Sequence, residues 1–411
     1  MENPKIRFKG FTKDWEQRKL IDYLEVSSEK NRDNRFTKED VLSVSGEYGI
    51  VNQIEFQGRS FAGASVSNYG VVENGDVVYT KSPLKSNPYG IIKTNKGIPG
   101  IVSTLYAVYK PKEITDSKFV QIYFELDSRM NSYMHPLVNK GAKNDMKVSA
   151  ENALKGMVSF PKKDEQEMIS LYFSTIDHLI TLHQRKCEQT KKLKKYMLQK
   201  MFPQNGAKVP EIRFDGFTYD WEQRKLNEVA EKICVGFVGT CEKFYTDESG
   251  IPMYRTGNLN GLSLNRDDLK YVTNEFHQHN QKSQLKAGDI LIARHGDSGK
   301  AVNYENSEEA NCLNIVIIRP DFKKCNYKFL TNCINSPECQ KHIKSLSAGS
   351  TQAVINTSEI EKLGVVIPAN IDEQNRIARY FSTLDHLITL HQRKCDELKK
   401  MKKYMLQNMF I

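Results

Sequence analysis

Two segments of this chain occur twice, and the repeat limits the folds open to it. Residues 4–20 (PKIRFKGFTKDWEQRKL) return as residues 210–226 (PEIRFDGFTYDWEQRKL), and residues 173–202 return almost unchanged as residues 381–410. In each half the repeated segments enclose well over a hundred residues that barely match their counterpart. A repeat of this kind indicates one structural unit used twice. We therefore expect two similar frames that carry two different inserts.

The second repeated segment predicts a long helix in each half. Residues 164–202 contain no Gly or Pro, and their apolar residues recur at spacings of three and four. These 39 residues would extend about 58 Å as a helix. Residues 372–410 repeat the pattern. We expect the two helices to pair as an antiparallel coiled coil, with a pseudo-twofold axis relating the halves. The alternative is that each helix packs only on its own domain.

The outer faces of the two predicted helices also repeat. A polar triplet occurs in both, as Gln184, Arg185 and Lys186 and again as Gln392, Arg393 and Lys394. A second protein docking on each copy would explain this repeat, and so would a recent duplication. A repeated lysine cluster is either a surface facing phosphates or a solvated helix face; it consists of Lys191, Lys192, Lys194 and Lys195, then Lys399, Lys400, Lys402 and Lys403.

Charge and composition narrow the class of partner. The net charge of +10 and the pI near 9.0 favour a polyanion, because lysines and arginines that neutralise phosphates release counterions on binding. A merely basic protein is the alternative. We expect a cytoplasmic chain, because no apolar run approaches the roughly 20 residues of a membrane span and the start lacks a signal peptide's apolar core. Eight cysteines without a CxxC pair predict free thiols.

The inserts, residues 21–160 and 227–367, are rich in Gly, β-branched and aromatic residues. GDVVY at 75–79 and GDILI at 288–292 predict strands at similar places, so we expect the inserts to share a fold. A polar, basic loop follows each strand. Such loops can reach base edges, where Arg or Lys pairs with guanine and Asn or Gln with adenine. For any single residue an ordinary surface turn is the alternative.

Further candidate loops lie at 139–144 and 348–352, where Gly residues let the backbone approach a phosphate. Residues 255–258 form another candidate, opposite residues 43–46 of the first half. The full set of predicted DNA contacts is Lys81, Ser82, Lys85, Lys143, Asn144, Lys147, Arg255, Asn258, Arg294, His295, Ser350, Thr351 and Gln352.

Catalytic signatures are incomplete. Residues 87–89 (Asn-Pro-Tyr) lack the second proline of an amino-methyltransferase motif, so a turn is the better interpretation. Residues 296–301 (GDSGKA) lack the first Gly and the hydroxyl of a phosphate-binding loop. Two His/Cys pairs have the i, i+4 spacing of metal ligands but sit on an apolar helix edge, which favours packing; they are His183 with Cys187 and His391 with Cys395. We expect neither catalysis nor a metal site in this chain.

The whole pattern resembles the DNA-specificity subunit of type I restriction-modification enzymes. Each insert is opened by an RF-GFT-DWEQRKL segment and closed by a proline, a DEQ step (164–166 and 372–374) and a long helix. The resemblance covers essentially the full chain. Its more specific elements are GDILIARHG at 288–296 and GSTQ at 349–352, where the first half reads GDVVYTKSP and GAKNDMK.

The resemblance implies an α+β fold with two β-rich target-recognition domains joined by two long antiparallel coiled-coil helices. The domains would be residues 1–160, a central helix and linker at 161–209, residues 210–367, and a C-terminal helix at 368–411. It also implies a non-catalytic subunit. Each target-recognition domain would read one half of a split, asymmetric double-stranded DNA site, and the helices would set the spacing.

The resemblance further implies two modification subunits, which bind S-adenosylmethionine, and restriction subunits, which use ATP and Mg²⁺. This chain would hold no cofactor itself. The main rival hypothesis is a coiled-coil scaffold whose basic inserts bind RNA or proteins. Binding of duplex DNA with a salt slope and a sequence preference would distinguish the two. A fused nuclease or methyltransferase would need the motifs that are missing.

Overall fold

The structure, a computed structural model, describes residues 3–81, 87–140, 146–259, 263–294, 299–347 and 355–411. The chain forms two compact units. The first consists of Met1–His183 with Lys394–Ile411, and the second is Gln184–Arg393. Both long helices are divided between the units, so each unit holds one insert and a segment of each long helix.

The first unit alternates short strands with a few helices. In chain order its elements are β1 (Glu16–Lys19), β2 (Leu24–Val26), β3 (Leu42–Ser45), β4 (Gly49–Asn52), α1 (Gln53–Gln57), β5 (Gly70–Val72), β6 (Val77–Thr80), β7 (Ile92–Thr94), β8 (Gly100–Val102), β9 (Tyr106–Pro111), α2 (Ser117–Tyr123), α3 (Asp127–Met134), β10 (Asn139–Lys140), β11 (Met146–Lys147), β12 (Met157–Phe160) and the long helix α4 (Lys163–Lys200). The main sheet has the antiparallel order β2-β9-β6-β7, and β1-β12, β3-β4, β5-β8 and β10-β11 pair separately.

The second unit follows the same order of elements at its beginning and end. Its elements are β13 (Glu222–Lys225), α5 (Leu226–Val229), β14 (Ala230–Val235), β15 (Tyr245–Thr246), β16 (Ile251–Arg255), β17 (Lys270–Val272), α6 (Asn274–His279), β18 (Ile290–Ala293), β19 (Ala301–Asn303), β20 (Asn311–Leu313), β21 (Ile315–Pro320), α7 (Tyr327–Ile334), α8 (Pro337–Ser347), α9 (Thr357–Glu361), β22 (Gly364–Ile367) and the long helix α10 (Ile371–Asn408).

The two inserts share one sheet and differ in the other. The order β14-β21-β18-β19 in the second unit matches β2-β9-β6-β7 in the first, and all neighbours are antiparallel. The second unit adds a mixed sheet, β15-β17-β16-β20, in which β16 and β20 are parallel. The first unit has the separate pairs β3-β4 and β5-β8 instead. The prediction of a common fold is therefore confirmed for the shared sheet only.

The structure contains the strands predicted at 75–79 and 288–292, but each strand begins two residues later than predicted. Gly75 and Gly288 both have φ of +91°, which L side chains rarely adopt. The carboxylates of Asp76 and Asp289 accept hydrogen bonds from the backbone three residues earlier, at 2.9 and 2.7 Å. Each Gly-Asp pair thus closes a turn before the strand rather than starting it.

In the first unit the two long-helix segments run antiparallel. The rings of Phe173 and Phe410 lie 6.0 Å apart, and Lys402 Nζ lies 2.7 Å from Asp177. Further along, Ile176 and Ile180 pack with Cys395. Residue numbers rise on α4 as they fall on α10, so the predicted direction is correct.

The second unit repeats these contacts with equivalent residues. The rings of Phe381 and Phe202 are 5.9 Å apart, and Lys194 Nζ lies 2.6 Å from Asp385. The Cys187 thiol donates to the Ile388 carbonyl at 3.8 Å. Because the end of α4 packs in the second unit and the end of α10 in the first, the alternative of helices that pack only on their own domain is wrong.

A buried ion pair ties each repeated N-terminal segment to a long helix. The Arg7 guanidinium donates to both carboxylate oxygens of Glu165 at 2.7 Å, and Arg213 donates to Glu373 at 2.7 and 2.9 Å. Gln166, the next residue, accepts a hydrogen bond from the Asp116 N–H at 2.9 Å. Gln374 does the same for Asn326 at 2.8 Å. These contacts give the DEQ step a structural role in both units.

One pair of equivalent carboxylates differs in its electrostatics. Asp289 is buried in a two-pronged ion pair with Arg319, with both N–O distances at 2.7 Å. Asp76 is buried as well, but the residue equivalent to Arg319 is Lys110, which binds Glu29 at 3.0 Å. Burial therefore raises the pKa of Asp76.

We expect Asp289→Asn to destabilise the second unit by about 3–5 kcal/mol at pH 7, because Arg319 loses its buried carboxylate. Asp76→Asn should leave the first unit as stable or more stable, because the amide oxygen still accepts the Glu73 N–H and the desolvated charge is gone. A raised folded-state pKa contributes stability at low pH and loses it as pH rises. The advantage of Asp76→Asn should therefore shrink toward pH 4, as hydrogen exchange of each unit in urea at pH 4 and 7 will measure. Equal losses for both variants at pH 7 would contradict this account.

Candidate nucleic-acid interface

Arg294 lies at the end of strand β18, next to two segments that the sequence predicts as loops. It follows β18 directly, and its N–H donates to the Asn314 carbonyl at 3.3 Å. Its own carbonyl accepts the N–H of Ile355 at 3.1 Å. Arg294 directly precedes residues 295–298, and Ile355 directly follows residues 348–354; both of these segments lie outside the described ranges. The described residues that adjoin the two segments are therefore hydrogen-bonded neighbours.

The Arg294 side chain has an unused donor. The residue is half-buried, and its Nε is buried with no hydrogen-bond partner in the described part of the chain. A buried donor without an acceptor is destabilising, by more when the group is charged. A guanidinium held in this way suits a planar acceptor such as a guanine edge or a phosphate.

The other predicted pair in this unit is more constrained. Arg255, at the end of β16, donates to the side chain and carbonyl of Asp268 at 2.9 and 2.8 Å, although its Nε, like that of Arg294, is buried with no partner in the described part of the chain. Asn258 is only 2% exposed, and its amide oxygen and nitrogen bond to the Arg255 N–H and the Asp267 carbonyl. This burial disfavours a DNA contact by Asn258, which shapes the loop instead. Any contact by Arg255 would compete with Asp268.

Lys81 occupies the same position in the first unit as Arg294 in the second. It follows β6 directly, and its N–H donates to the Leu105 carbonyl at 3.1 Å. Partial burial and then the charge of Lys30 lower the pKa of its ammonium, while Glu151 opposes the shift. Lys81, Lys30 and Glu151 are thus close enough to interact electrostatically, and Glu151 follows residues 141–145 by a few positions in the sequence.

Most of the loop candidates themselves lie outside the described residues. The structure describes the backbone of Lys147 in β11 but not its side chain. The DNA contacts predicted for these residues stay predictions. Those outside the described ranges are Ser82, Lys85, Lys143, Asn144, His295, Ser350, Thr351 and Gln352.

The first unit also presents aromatic residues that the sequence analysis missed. Tyr48 and Phe56 are exposed with ring centroids 5.3 Å apart. Nearby in sequence, the Arg59 guanidinium lies 4.6 Å from the centroid of the exposed Phe61 ring. Exposed aromatic rings beside a cation can stack on bases or sugars. In the sequence, these residues are visible only as aromatic residues near Gly46 and Gly58. Such a pattern is common in ordinary turns and does not indicate a binding surface.

The predicted partner-binding triplets are accessible. All six residues, Gln184, Arg185, Lys186, Gln392, Arg393 and Lys394, are exposed. Lys394 Nζ contacts Glu397 at 2.9 Å, and the Cys187 thiol donates to Gln392 at 3.8 Å. Their exposure is compatible with a partner docking on these faces, and the docking itself stays a prediction.

The weaker motifs of the sequence have structural explanations. The Gly90 N–H donates to the Asn87 carbonyl at 3.0 Å, which makes residues 87–90 a turn, as predicted. All eight cysteines are free and buried. Within the described ranges, no three His, Cys, Asp or Glu side chains are grouped to hold a metal ion. No helix in the same ranges combines the length and apolarity needed to cross a membrane.

If this sheet edge contacts DNA, Arg294→Ala should weaken binding to the specific duplex by 10-fold to about 100-fold. Arg294→Lys should restore only part of that loss, because an ammonium lacks the planar fork of a guanidinium. Arg255→Ala should have a smaller effect, because Arg255 is already paired with Asp268. Fluorescence anisotropy of a labelled duplex measures all three, and unchanged affinity of Arg294→Ala would remove this residue from the interface.

Comparisons with known proteins agree with this arrangement. Residues 219–400 match the family model of the type I restriction modification DNA specificity domain. The MjaVIII specificity subunit of Methanocaldococcus jannaschii is 24% identical over 78% of this chain and 75% of its own length. The MjaX specificity subunit of the same organism is 26% identical over 46% of this chain and 45% of its own length. The chain therefore spans less than half of the MjaX subunit.

Two solved structures share the fold across nearly the full length. The S subunit of a type I restriction-modification system from M. genitalium has a TM-score of 0.66 and 14% identity, with 100% of this chain and 99% of that chain covered. A chain from a structure of complex assembly and conformational transition of the type I R-M system has a TM-score of 0.51 and 16% identity, with 97% of both chains covered. Residues 219–400 therefore match the type I restriction modification DNA specificity domain, and the chain shares the fold of the solved S subunit.

Proposed function

We propose that this chain is the non-catalytic, DNA-reading subunit of a type I restriction-modification complex, and that each insert reads one half of a bipartite, asymmetric DNA site. The proposal rests on one observation: the two units have the same contacts between the long helices but different inserts. The Lys402–Asp177 and Lys194–Asp385 contacts repeat between the units. The second β layer does not repeat.

The two readers present different chemistry from the same structural position. Lys81 and Arg294 each follow the third strand of the shared sheet. An ammonium is a point charge with rotatable donors, whereas a guanidinium is a rigid fork that pairs with two acceptors at once. Different side chains at one position would select different bases, which supports two unlike half-sites.

The long helices would set the distance between the half-sites and dock the partner subunits. Their antiparallel pairing is closed by aromatic side chains at both ends. A spacer of this kind makes half-site separation a geometric quantity, as it is in dimeric DNA readers. The exposed triplets at 184–186 and 392–394 are the docking faces that we assign to two modification subunits. S-adenosylmethionine would belong to those subunits, and ATP and Mg²⁺ to restriction subunits.

Mapping methylated adenines by long-read sequencing tests the proposal directly. The host would receive this chain with a cognate modification subunit, and a control host would receive the modification subunit alone. We expect a new split motif that requires this chain. A modification pattern identical with and without the chain, in cells where the complex assembles, would reject a reading function and favour a coiled-coil scaffold for RNA or proteins.

Exchanging one insert should alter one half-site only. We expect replacement of residues 21–160 by another first insert to change one half of the motif and to leave the other half and the spacing intact, because the frame contacts remain. The same methylation map provides the readout. The reciprocal exchange of residues 227–367 is the matched control, and a change in both halves by either exchange would argue against independent readers.

Lengthening the helices should lengthen the spacing. Four extra residues after Lys186 in α4 and after Lys394 in α10 add about 6 Å to each helix, or about two base pairs of duplex. We expect the unmodified spacer within the mapped motif to grow accordingly or methylation to stop. Retention of the original spacing would show that the helices do not measure it.

A further inference from the structure

Lys93 carries a nearly buried ammonium that has no ion-pair partner among the described residues. It lies in the edge strand β7, opposite Val78, and the residue is 9% exposed. Within the described part of the chain its ammonium makes no hydrogen bond and no ion pair. Desolvation by burial lowers the pKa of Lys93; the charges of Glu125 and Asp177 oppose this shift, and those of Lys402 and Lys96 add to it.

The groups around Lys93 carry excess positive charge. Lys402 from α10 binds both neighbouring carboxylates, Glu125 at 2.6 Å and Asp177 at 2.7 Å. Lys96 follows β7 and faces the same carboxylates, with Lys118 of α2 nearby. Two carboxylates therefore lie among four lysines, and both carboxylates already bind Lys402.

The second unit provides an internal comparison. Val302 pairs with Leu291 as Lys93 pairs with Val78, and Glu305 stands in the place of Lys96. The equivalents of Lys402 and Asp177 are Lys194 and Asp385. Val302, Glu305, Lys194 and Asp385 line a cleft of about 570 Å³. Lys328 also lines this cleft, and its Nζ lies 2.9 Å from Glu305, so each of the two lysines there has a carboxylate partner.

A protein gains no stability from an unpaired, desolvated ammonium, which burial penalises strongly. A ligand with several anionic oxygens would supply the missing acceptors, since charge-assisted hydrogen bonds to ammonium groups are the strong ones. Phosphate has this chemistry. Phosphate is also an anion, and a chain with a net positive charge favours binding to anions.

We propose that Lys93, Lys96 and Lys402 form a binding site for a phosphate group in the first unit. The group can come from the backbone of bound DNA or from free phosphate. Only the DNA source rests on the proposed function. The second unit, with Val302 and Glu305 in place of two of the lysines, has no such site.

Lys93→Val tests the inference because it installs the residue of the second unit. In chloride buffer the variant should unfold at the same temperature as the wild type or higher, because a desolvated charge is removed. Inorganic pyrophosphate at constant ionic strength should raise the unfolding temperature of the wild type and of Lys93→Arg, and fail to do so for Lys93→Val. Lys13→Val, which removes an exposed lysine of the same unit, should behave like the wild type.

The salt dependence of DNA binding identifies the source of the phosphate. A DNA phosphate at this site predicts that Lys93→Val lowers the slope of log K against log salt by about one. An unchanged slope with a lost pyrophosphate effect supports free phosphate. If both readouts match the wild type, the inference is wrong, and an intact methylation motif would show that the proposed function still stands.

Discussion

Phe202 and Phe410, near the ends of the two copies of the repeated helix segment, complete the cores on which both units depend. The Phe410 ring packs against Trp15, Phe119 and Phe173 with centroids 5.7 to 6.1 Å apart. Phe202 does the same with Trp221, Phe329 and Phe381 at 5.5 to 6.1 Å. Because each core takes an aromatic ring from the long helix that follows the other insert in sequence, neither half of the repeat can bury its apolar surface with its own residues alone.

This dependence separates the residues that hold the fold from those that are free to vary. The Arg7–Glu165 and Arg213–Glu373 ion pairs link the repeated N-terminal segments to the starts of the long helices. Both carboxylates are almost fully buried, so loss of either arginine would leave an uncompensated charge. The described residues of the second β layer take no part in these ion pairs. This layer can therefore differ between the two inserts while the repeated contacts persist.

Equivalent positions in the two units carry different electrostatics. Asp289 forms an ion pair with Arg319, whereas Lys110, the residue equivalent to Arg319 near Asp76, forms its ion pair with Glu29. Val302 is an ordinary buried residue, whereas Lys93 places a charge at the same register position. The two units have the same backbone arrangement in the main sheet and in the long-helix contacts. The identity of the charged side chains on that backbone makes each unit a different surface for a polyanion.

Patterns that are local in sequence predicted the two long helices, the strands before the basic loops and the shared scaffold, because periodicity and turn residues act over a few positions. Contacts between distant residues decided the rest. Arg7 and Glu165 are 158 positions apart. Only the fold shows that Asn258 is enclosed by its own loop, that Asp268 binds Arg255 and that Lys93 has no ion-pair partner among the described residues. Burial and charge pairing depend on which distant segments meet, so residue type alone could nominate basic loop residues but could not distinguish an available donor from one already bound.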